Sequence, residues 1–159
     1  MSKFRLDEVD HQILDMLIDN TRIPFTDIAK KLLISAGTVH VRVKKMEDAG
    51  IIQGSSLTLD YEKLGYSFIA YVGIFLQSTS QTKFVLERIN EIPYVTVASV
   101  TTGKFNIFCK IRAKDTKHAK EVIFMIDDIE GVYRTETMIS LEESINDKKR
   151  LMHTIFKEL

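Results

Sequence analysis

The hydrophobic positions of this chain follow two different periods, one in each half. Between residues 7 and 20, Val9, Ile13, Met16 and Leu17 recur at helical spacing, and Asp7 with Asp10 supplies acid for a first turn. After Pro24, Thr26 is placed to cap a second short helix with an apolar stripe of Ile28, Ala29, Leu32 and Leu33. Ser35 is placed to cap a third, in which Val39, Val43 and Met46 face inward and Gly50 marks the end. Only Leu33 and Ile34 stand between the second helix and that cap, the tight spacing of a helix-turn-helix. Residues 51–59 read as an extended segment.

Beyond Gly65 the period becomes strand-like, with helical stretches between. A strand is predicted over 66–77 and a helix over 80–91, with Phe84, Val85 and Ile89 inward and Pro93 marking its exit. A strand over 94–101 and a turn at Thr102 and Gly103 lead into a half-buried strand over 104–112, with Phe105, Ile107, Cys109 and Ile111 on one face. Asp115 caps a helix running toward Gly131 through Val122, Ile123 and Ile126, and 132–141 is the last strand. The fold class expected is therefore α+β. An N-terminal three-helix, winged helix-turn-helix domain fills 1–60, a linker 61–65, and a C-terminal βαββαβ ferredoxin-like domain 66–159. Two helices cover one face of such a sheet and leave the other free for a second copy, so a homodimer is expected.

Composition narrows the function. The net charge is +0, so any nucleic-acid contact must come from a local patch. One exists: residues 30–45 hold Lys30, Lys31, Arg42, Lys44 and Lys45 and no acid. No apolar run approaches the roughly 20 residues that span a bilayer, so no membrane partner is expected. The acidic first ten residues do not follow a secretory pattern, which makes the cytoplasm the expected compartment. The single cysteine, Cys109, reads as buried packing. His11, His40, His118 and His153 show no metal-ligand spacing, and Thr102-Gly103-Lys104 lacks the glycine spacing of a phosphate loop. No enzyme activity, cofactor or metal is expected.

A helix-turn-helix lays its second helix in the major groove. With Val39, Val43 and Met46 inward, the helix that Ser35 caps turns Ala36, Gly37, Thr38, His40 and Val41 toward base edges, and Lys30, Lys31, Lys44 and Lys45 toward phosphates of double-stranded DNA. Arg42 lies beside the buried stripe and can either reach phosphate or brace the domain through Asp10 or Glu47. The C-terminal stripe Leu151, Met152, Ile155, Phe156 and Leu159, beside Lys148, Lys149 and Arg150, reads as packing on the second domain or on a partner subunit.

Residues 26–52, TDIAKKLLISAGTVHVRVKKMEDAGII, closely resemble the DNA-binding signature of the leucine-responsive/asparagine-responsive (Lrp/AsnC) regulators. LDEVDHQIL at 6–14, KLGY at 63–66, TTGKFNIF at 101–108 and TET at 135–137 continue the resemblance, nearest the asparagine-responsive branch. Leu33 stands at the turn where many relatives carry Gly, and Lys104 and Asn106 stand where leucine- or lysine-sensing relatives often place Asp. The resemblance implies a sequence-specific transcription regulator whose second domain senses a small amino acid and whose dimers assemble further to an octamer. It places that effector around the loop of Thr101, Thr102, Gly103, Lys104 and Asn106, with Thr135, Glu136 and Thr137 nearby. Exposed amides beside Gly103 and the Lys104 ammonium suit a carboxylate, and Glu136 suits an ammonium. Asn106 with Thr101 or Thr102 suits an amide side chain, so asparagine fits better than lysine. The plainer alternative for this loop is a hairpin with solvated polar residues. Two other functions fit the same chain: an architectural protein that wraps DNA with little effector response, and a stand-alone amino-acid-binding module. Measured specificity over nonspecific DNA tests the first, and absence of salt-sensitive DNA affinity would favour the second.

Overall fold

The structure, a computed structural model, describes residues 5–147 and 149–158. Two compact units form, one of Met1–Thr58 with Ile145–Leu159 and the other of Leu59–Ser144.

In the first unit α1 (Glu8–Asp19) opens on a capping box, in which the Asp10 N–H donates to Asp7 Oδ1 at 2.9 Å and the Asp7 N–H to Asp10 Oδ2 at 3.1 Å. α2 (Phe25–Leu32) starts one residue before Thr26. Pro24 takes the cap position at φ −62°, with no side-chain acceptor, and the expected Thr26 cap lies inside the first turn instead. α3 (Ala36–Asp48) is capped by Ser35 as expected, its hydroxyl accepting from the Thr38 N–H at 3.0 Å. α3 ends where Gly50, at φ 71°, and Ile51 return their N–H groups to Glu47 and Met46, which satisfies carbonyls left over at the helix end. Ile13, Ile28, Val39 and Met46 are wholly buried between the three helices. Residues 51–59 enter no sheet.

Leu33 carries the turn between α2 and α3 in the left-handed region, at φ 56° and ψ 40°, while its side chain is 92% exposed. A leucine there strains the backbone by roughly 1–2 kcal/mol without burying anything. Leu33→Gly relieves that strain at the cost of about 0.5–1 kcal/mol of extra unfolded-chain entropy. It is therefore expected to raise the stability of this unit by about 0.5–1 kcal/mol, and an unchanged or lower urea midpoint would contradict the account.

The C-terminal helix α6 (Lys149–Glu158) packs on α1. This corrects the expectation that it lies on the second domain or on a partner: the chain from Ile145 onward belongs with the first unit, not with residues 66–159. The reason is charge. α1 ends on Asp15 and Asp19 with no basic residue in its last turn, and α6 brings Lys149 and His153 to them. Lys148, Leu159 and the side chain of Phe156 lie outside the described residues.

In the second unit β1 (Phe68–Leu76), α4 (Thr82–Asn90, entered by a 3-10 turn at Thr79–Gln81), β2 (Val95–Val100), β3 (Ile107–Ala113), α5 (Thr116–Asp127) and β4 (Val132–Ile139) follow the predicted βαββαβ order. The antiparallel sheet runs β2-β3-β1-β4. Alternation sends Ala70, Val72, Ile74, Ile107, Cys109 and Ile111 inward onto Val85, Ile89, Val122 and Ile126 of the helices. Burial pushes the Cys109 thiol up to about 11, so it stays protonated and inert. Phe84 is not inward but 40% exposed, with the Arg88 guanidinium 5.5 Å above its ring. Phe105 also departs from its expected place. It precedes β3, and its ring lies on the opposite face of the sheet over Gly73, packing edge-on to Phe75 at 5.2 Å and stacked on Phe108 at 5.7 Å. The stretch at 61–65 belongs to this unit rather than to a free linker: the Arg112 guanidinium lies 4.8 Å over the Tyr61 ring and donates to the Tyr66 carbonyl.

Candidate DNA interface and ligand-binding region

Because Val39, Val43 and Met46 are drawn into the core, α3 turns Gly37, Thr38, His40, Val41, Lys44 and Lys45 outward, all exposed. Ala36 is half-buried against the core. Small side chains at its first turn let this helix approach a surface closely, and Thr38 Oγ1 lies 2.8 Å from the Ser35 hydroxyl, so cap and candidate base reader form one polar pair. The His40 ring leans on Phe25 at 6.1 Å, which limits its freedom. Lys44 pairs with Asp48 at 2.6 Å and Lys30 with Asp27 at 3.7 Å; both pairs are exposed and open readily to a competing anion. Lys31 and Lys45 are exposed.

Arg42 does not join this outward set. Its Nη1 donates to Asp7 Oδ2 and to Asp10 Oδ1, each at 2.7 Å, and Asp10 is only 5% exposed. The guanidinium holds the Asp7 carboxyl below its ordinary range, chiefly through that hydrogen bond, and Arg42 is in turn made harder to deprotonate by both acids. Of the two roles open to Arg42 in the sequence, the brace is the one formed: it ties α3 to the cap of α1. Glu47 takes no part in these bonds.

A groove beside the start of α3 is lined by Ser35, Gly37, Thr38, Val41, Lys45 and also Arg5. Sequence reasoning missed Arg5. The signal was a basic residue, with Lys3 two positions before it in the sequence, just ahead of the acidic helix start and outside the motif.

In the second unit the residues expected around an effector divide between the two faces of the sheet. Gly73 pairs with Glu136 in the β1–β4 register, and Glu136 lies on the face away from the helices, bonded to Lys104 Nζ at 2.5 Å and to Arg134 at 2.8 Å. Lys104 chiefly, and Arg134 as well, keep the Glu136 carboxyl low. Thr135 and Thr137 point the other way, Thr135 to Asp127 of α5 at 2.8 Å and Thr137 into an apolar hollow with Ala119, Ile123 and Phe124. Thr101 Oγ1 donates to the Phe105 carbonyl at 2.5 Å, and Asn106 Oδ1 accepts from the Leu76 N–H at 2.9 Å. The first bond closes the loop on itself, and Asn106, whose N–H also donates to the Ile74 carbonyl, ties the loop to β1. Thr102 and Gly103 are exposed at the tip, and a Cβ built on Gly103 meets nothing within 4 Å. The loop thus presents open backbone beside an ion pair, over a floor of Phe75 and Phe105 that Lys104 approaches at 5.8 and 5.3 Å. Gly73, unmarked in the sequence reading, and Phe105, read there as part of an inward strand face, set that floor.

Among the described residues no cluster of His, Cys, Asp or Glu is arranged to hold a metal, and no helix is long and apolar enough to cross a membrane. A three-helix unit with an exposed recognition helix, joined to a ferredoxin-like unit with an open loop, defines a DNA-binding protein with a ligand-binding domain. Comparison with known proteins agrees: residues 6–53 match the winged helix-turn-helix DNA-binding family, and residues 69–149 match the Lrp/AsnC ligand binding domain. Regulatory protein AsnC of Haemophilus influenzae is 35% identical over 144 residues, 88% of this chain and 94% of that protein. AsnC of Escherichia coli K12 is 34% identical over 146 residues, 91% and 96%. The solved structure of the E. coli protein superposes with a TM-score of 0.87 at 33% identity, over 91% of this chain and 97% of that one. The fold is also that of a 24% identical Mycobacterium tuberculosis feast or famine regulatory protein complexed with L-methionine, with a TM-score of 0.83 over 91% and 97% of the two chains. The chain belongs to the Lrp/AsnC family of transcription regulators, with a helix-turn-helix DNA-binding domain and a ligand-binding domain.

Proposed function

We propose that this regulator reads DNA through Ser35, Ala36, Gly37, Thr38, His40 and Val41, anchors on phosphates through Lys30, Lys31, Lys44 and Lys45, and changes its assembly or DNA affinity when a small amino acid binds. The observation that carries the DNA reading is the division of α3: Arg42 is withdrawn into the brace, while the small, polar and lysine side chains are left outward. Lys45→Ala is expected to weaken binding to all sequences and lower the salt slope by about one unit, whereas Thr38→Ala should relax preference at particular bases by roughly 1–3 kcal/mol. Gel-shift titrations at several salt concentrations separate the two. A Lys45 effect confined to one base position would overturn the assignment.

The effector, in this reading, lies on the loop at Gly103. Its carboxylate takes the exposed amides and Lys104, and its ammonium takes Glu136, so that the zwitterion replaces the Lys104–Glu136 pair. Asparagine is the proposed side chain, with Thr102 and the amide of Asn106 as its partners. The pairing of Thr101 with the Phe105 carbonyl leaves it out of this set, and Thr135 and Thr137 support the pocket from behind. A thermal-shift screen of the twenty amino acids, methionine included, tests this. A ligand at about 100 times its dissociation constant stabilises by roughly 2.7 kcal/mol. Gly103→Val is expected to remove the shift and leave the effector-free melting point unchanged, because the added side chain fills only open space. An undiminished shift in that variant would move the pocket elsewhere.

The sheet face bearing Tyr71, Phe75, Phe105 and Phe108 supports the expected homodimer, and this reading extends to assembly of such dimers into an octamer. A cytoplasmic location follows from the regulatory role.

A further inference from the structure

Helix α1 ends badly by its own sequence. Asp15 and Asp19 repel one another at i, i+4 spacing, and an acid at a helix C-terminus opposes the helix dipole. Among the described residues, α6 supplies ion pairs to both. Lys149 Nζ donates to the Asp19 carbonyl at 3.3 Å and lies 3.9 Å from its carboxylate; His153 Nδ1 lies 2.5 Å from Asp15 Oδ1, and His153 Nε2 3.4 Å from Asp19 Oδ1. The family matches end at residues 53 and 149, so the rest of α6 lies beyond both. The chain that supplies α6 leaves the second unit after β4, where Glu143 bonds to Lys110 and Arg112 of β3. Only residues 144–148 separate that anchor from Lys149.

We propose that α6 is a clasp: a basic helix seated on the acidic end of α1, which gives the helix-turn-helix a second chain link to the ligand-binding unit besides the one at 58–59 and so restricts the freedom of the DNA-binding unit. α6 meets α1 on the side of Asp15 and Asp19, and the Arg42 brace sits at the opposite end of that helix, so the clasp leaves α3 uncovered. Protonation strengthens it. Among the described residues, the groups bonded to His153 are Asp15 and Asp19 on α1, with His11 one turn before Asp15 on that face of α1 and Lys149 and Arg150 one turn away on α6. Asp15 first, then Asp19, raise the His153 pKa above 6.5. A raised folded-state value means that the stabilisation is complete below the ordinary value and is lost as pH rises through the folded one.

The test uses the full chain with Glu8→Cys and Glu121→Cys labelled for single-molecule energy transfer and diluted into unlabelled protein; Cys109 is buried and does not label. The parent should give a narrow transfer distribution at about pH 6 that broadens toward about pH 8.5. His153→Gln should be broad at both, and a chain ending at Asp147 broader still, with DNA binding retained in each. Hydrogen exchange of the α1 amides should be at least about tenfold faster in His153→Gln at pH 6. Equal widths and equal exchange in parent and His153→Gln would overturn the clasp, and should the shortened chain fail to fold, Asp15→Asn supplies the same comparison. Loss of DNA binding in these variants would overturn the claim that α6 acts only as a link. Because the energy-transfer readout needs no DNA, it stands apart from the DNA-interface assignment.

Discussion

Replacing Arg42 by alanine is expected to destabilise the DNA-binding unit by about 2–3 kcal/mol, the largest effect of any single substitution on the surface of α3. Asp10 is the one buried charged residue among those described, and Arg42 is its only cationic partner there. Removing the guanidinium leaves that carboxylate with the Asp7 N–H alone, in a place water reaches poorly. Acid sensitivity follows from the same contacts. The Asp7 carboxyl is depressed in the folded state, so its stabilisation is complete above its ordinary value of 3.8 and is lost as pH falls through the lower folded value. Arg42→Ala should therefore flatten the melting profile at the acid end, below about pH 4. If instead Arg42→Ala melts like the parent and only reduces the salt slope of DNA binding, the residue is a phosphate contact and the brace carries no weight.

Gly73→Ala should be the most damaging small change in the second unit. A Cβ at Gly73 would stand 2.4 Å from two ring carbons of Phe105 and 2.6 Å from a third, well inside any real contact. The ring must leave, and with it go the contacts to Phe75 and Phe108 and the aim of the loop at 101–106. Overpacking of this kind costs about 1–3 kcal/mol, and lost aromatic contacts roughly 0.5–1.5 kcal/mol each. A loss of about 2–3 kcal/mol is expected, which is roughly 10 °C in melting temperature for a unit of this size. Any amino-acid-induced shift should weaken in parallel. Phe105→Leu with Gly73→Ala should recover part of the loss, because the smaller side chain can vacate the space. Additive losses in the double variant would mean that the two positions are not coupled.

Much of this was legible in the chain itself. Helical spacing of Ile13, Val39, Val43 and Met46, the Ser35 cap, and the alternation of Ile107, Cys109 and Ile111 are local patterns, so they named the elements and their inward faces without tertiary information. The exposed set on α3 followed from the same period. Tertiary structure decided what depends on groups far apart in sequence. Arg42 had two compatible partners until folding set Asp7 and Asp10 against it, more than thirty residues away. Thr135, Glu136 and Thr137 read as one cluster, yet alternation along β4 sends the two threonines and the glutamate to opposite faces. Phe105 looked like a continuation of the β3 stripe, but β3 begins at Ile107 and the ring turns to the space that Gly73 leaves. α6 was visible as an amphipathic helix, but its position was not, because amphipathicity states that a helix packs and not on what. The acids of α1 and the cations of α6 made that choice, across 130 to 138 residues of chain.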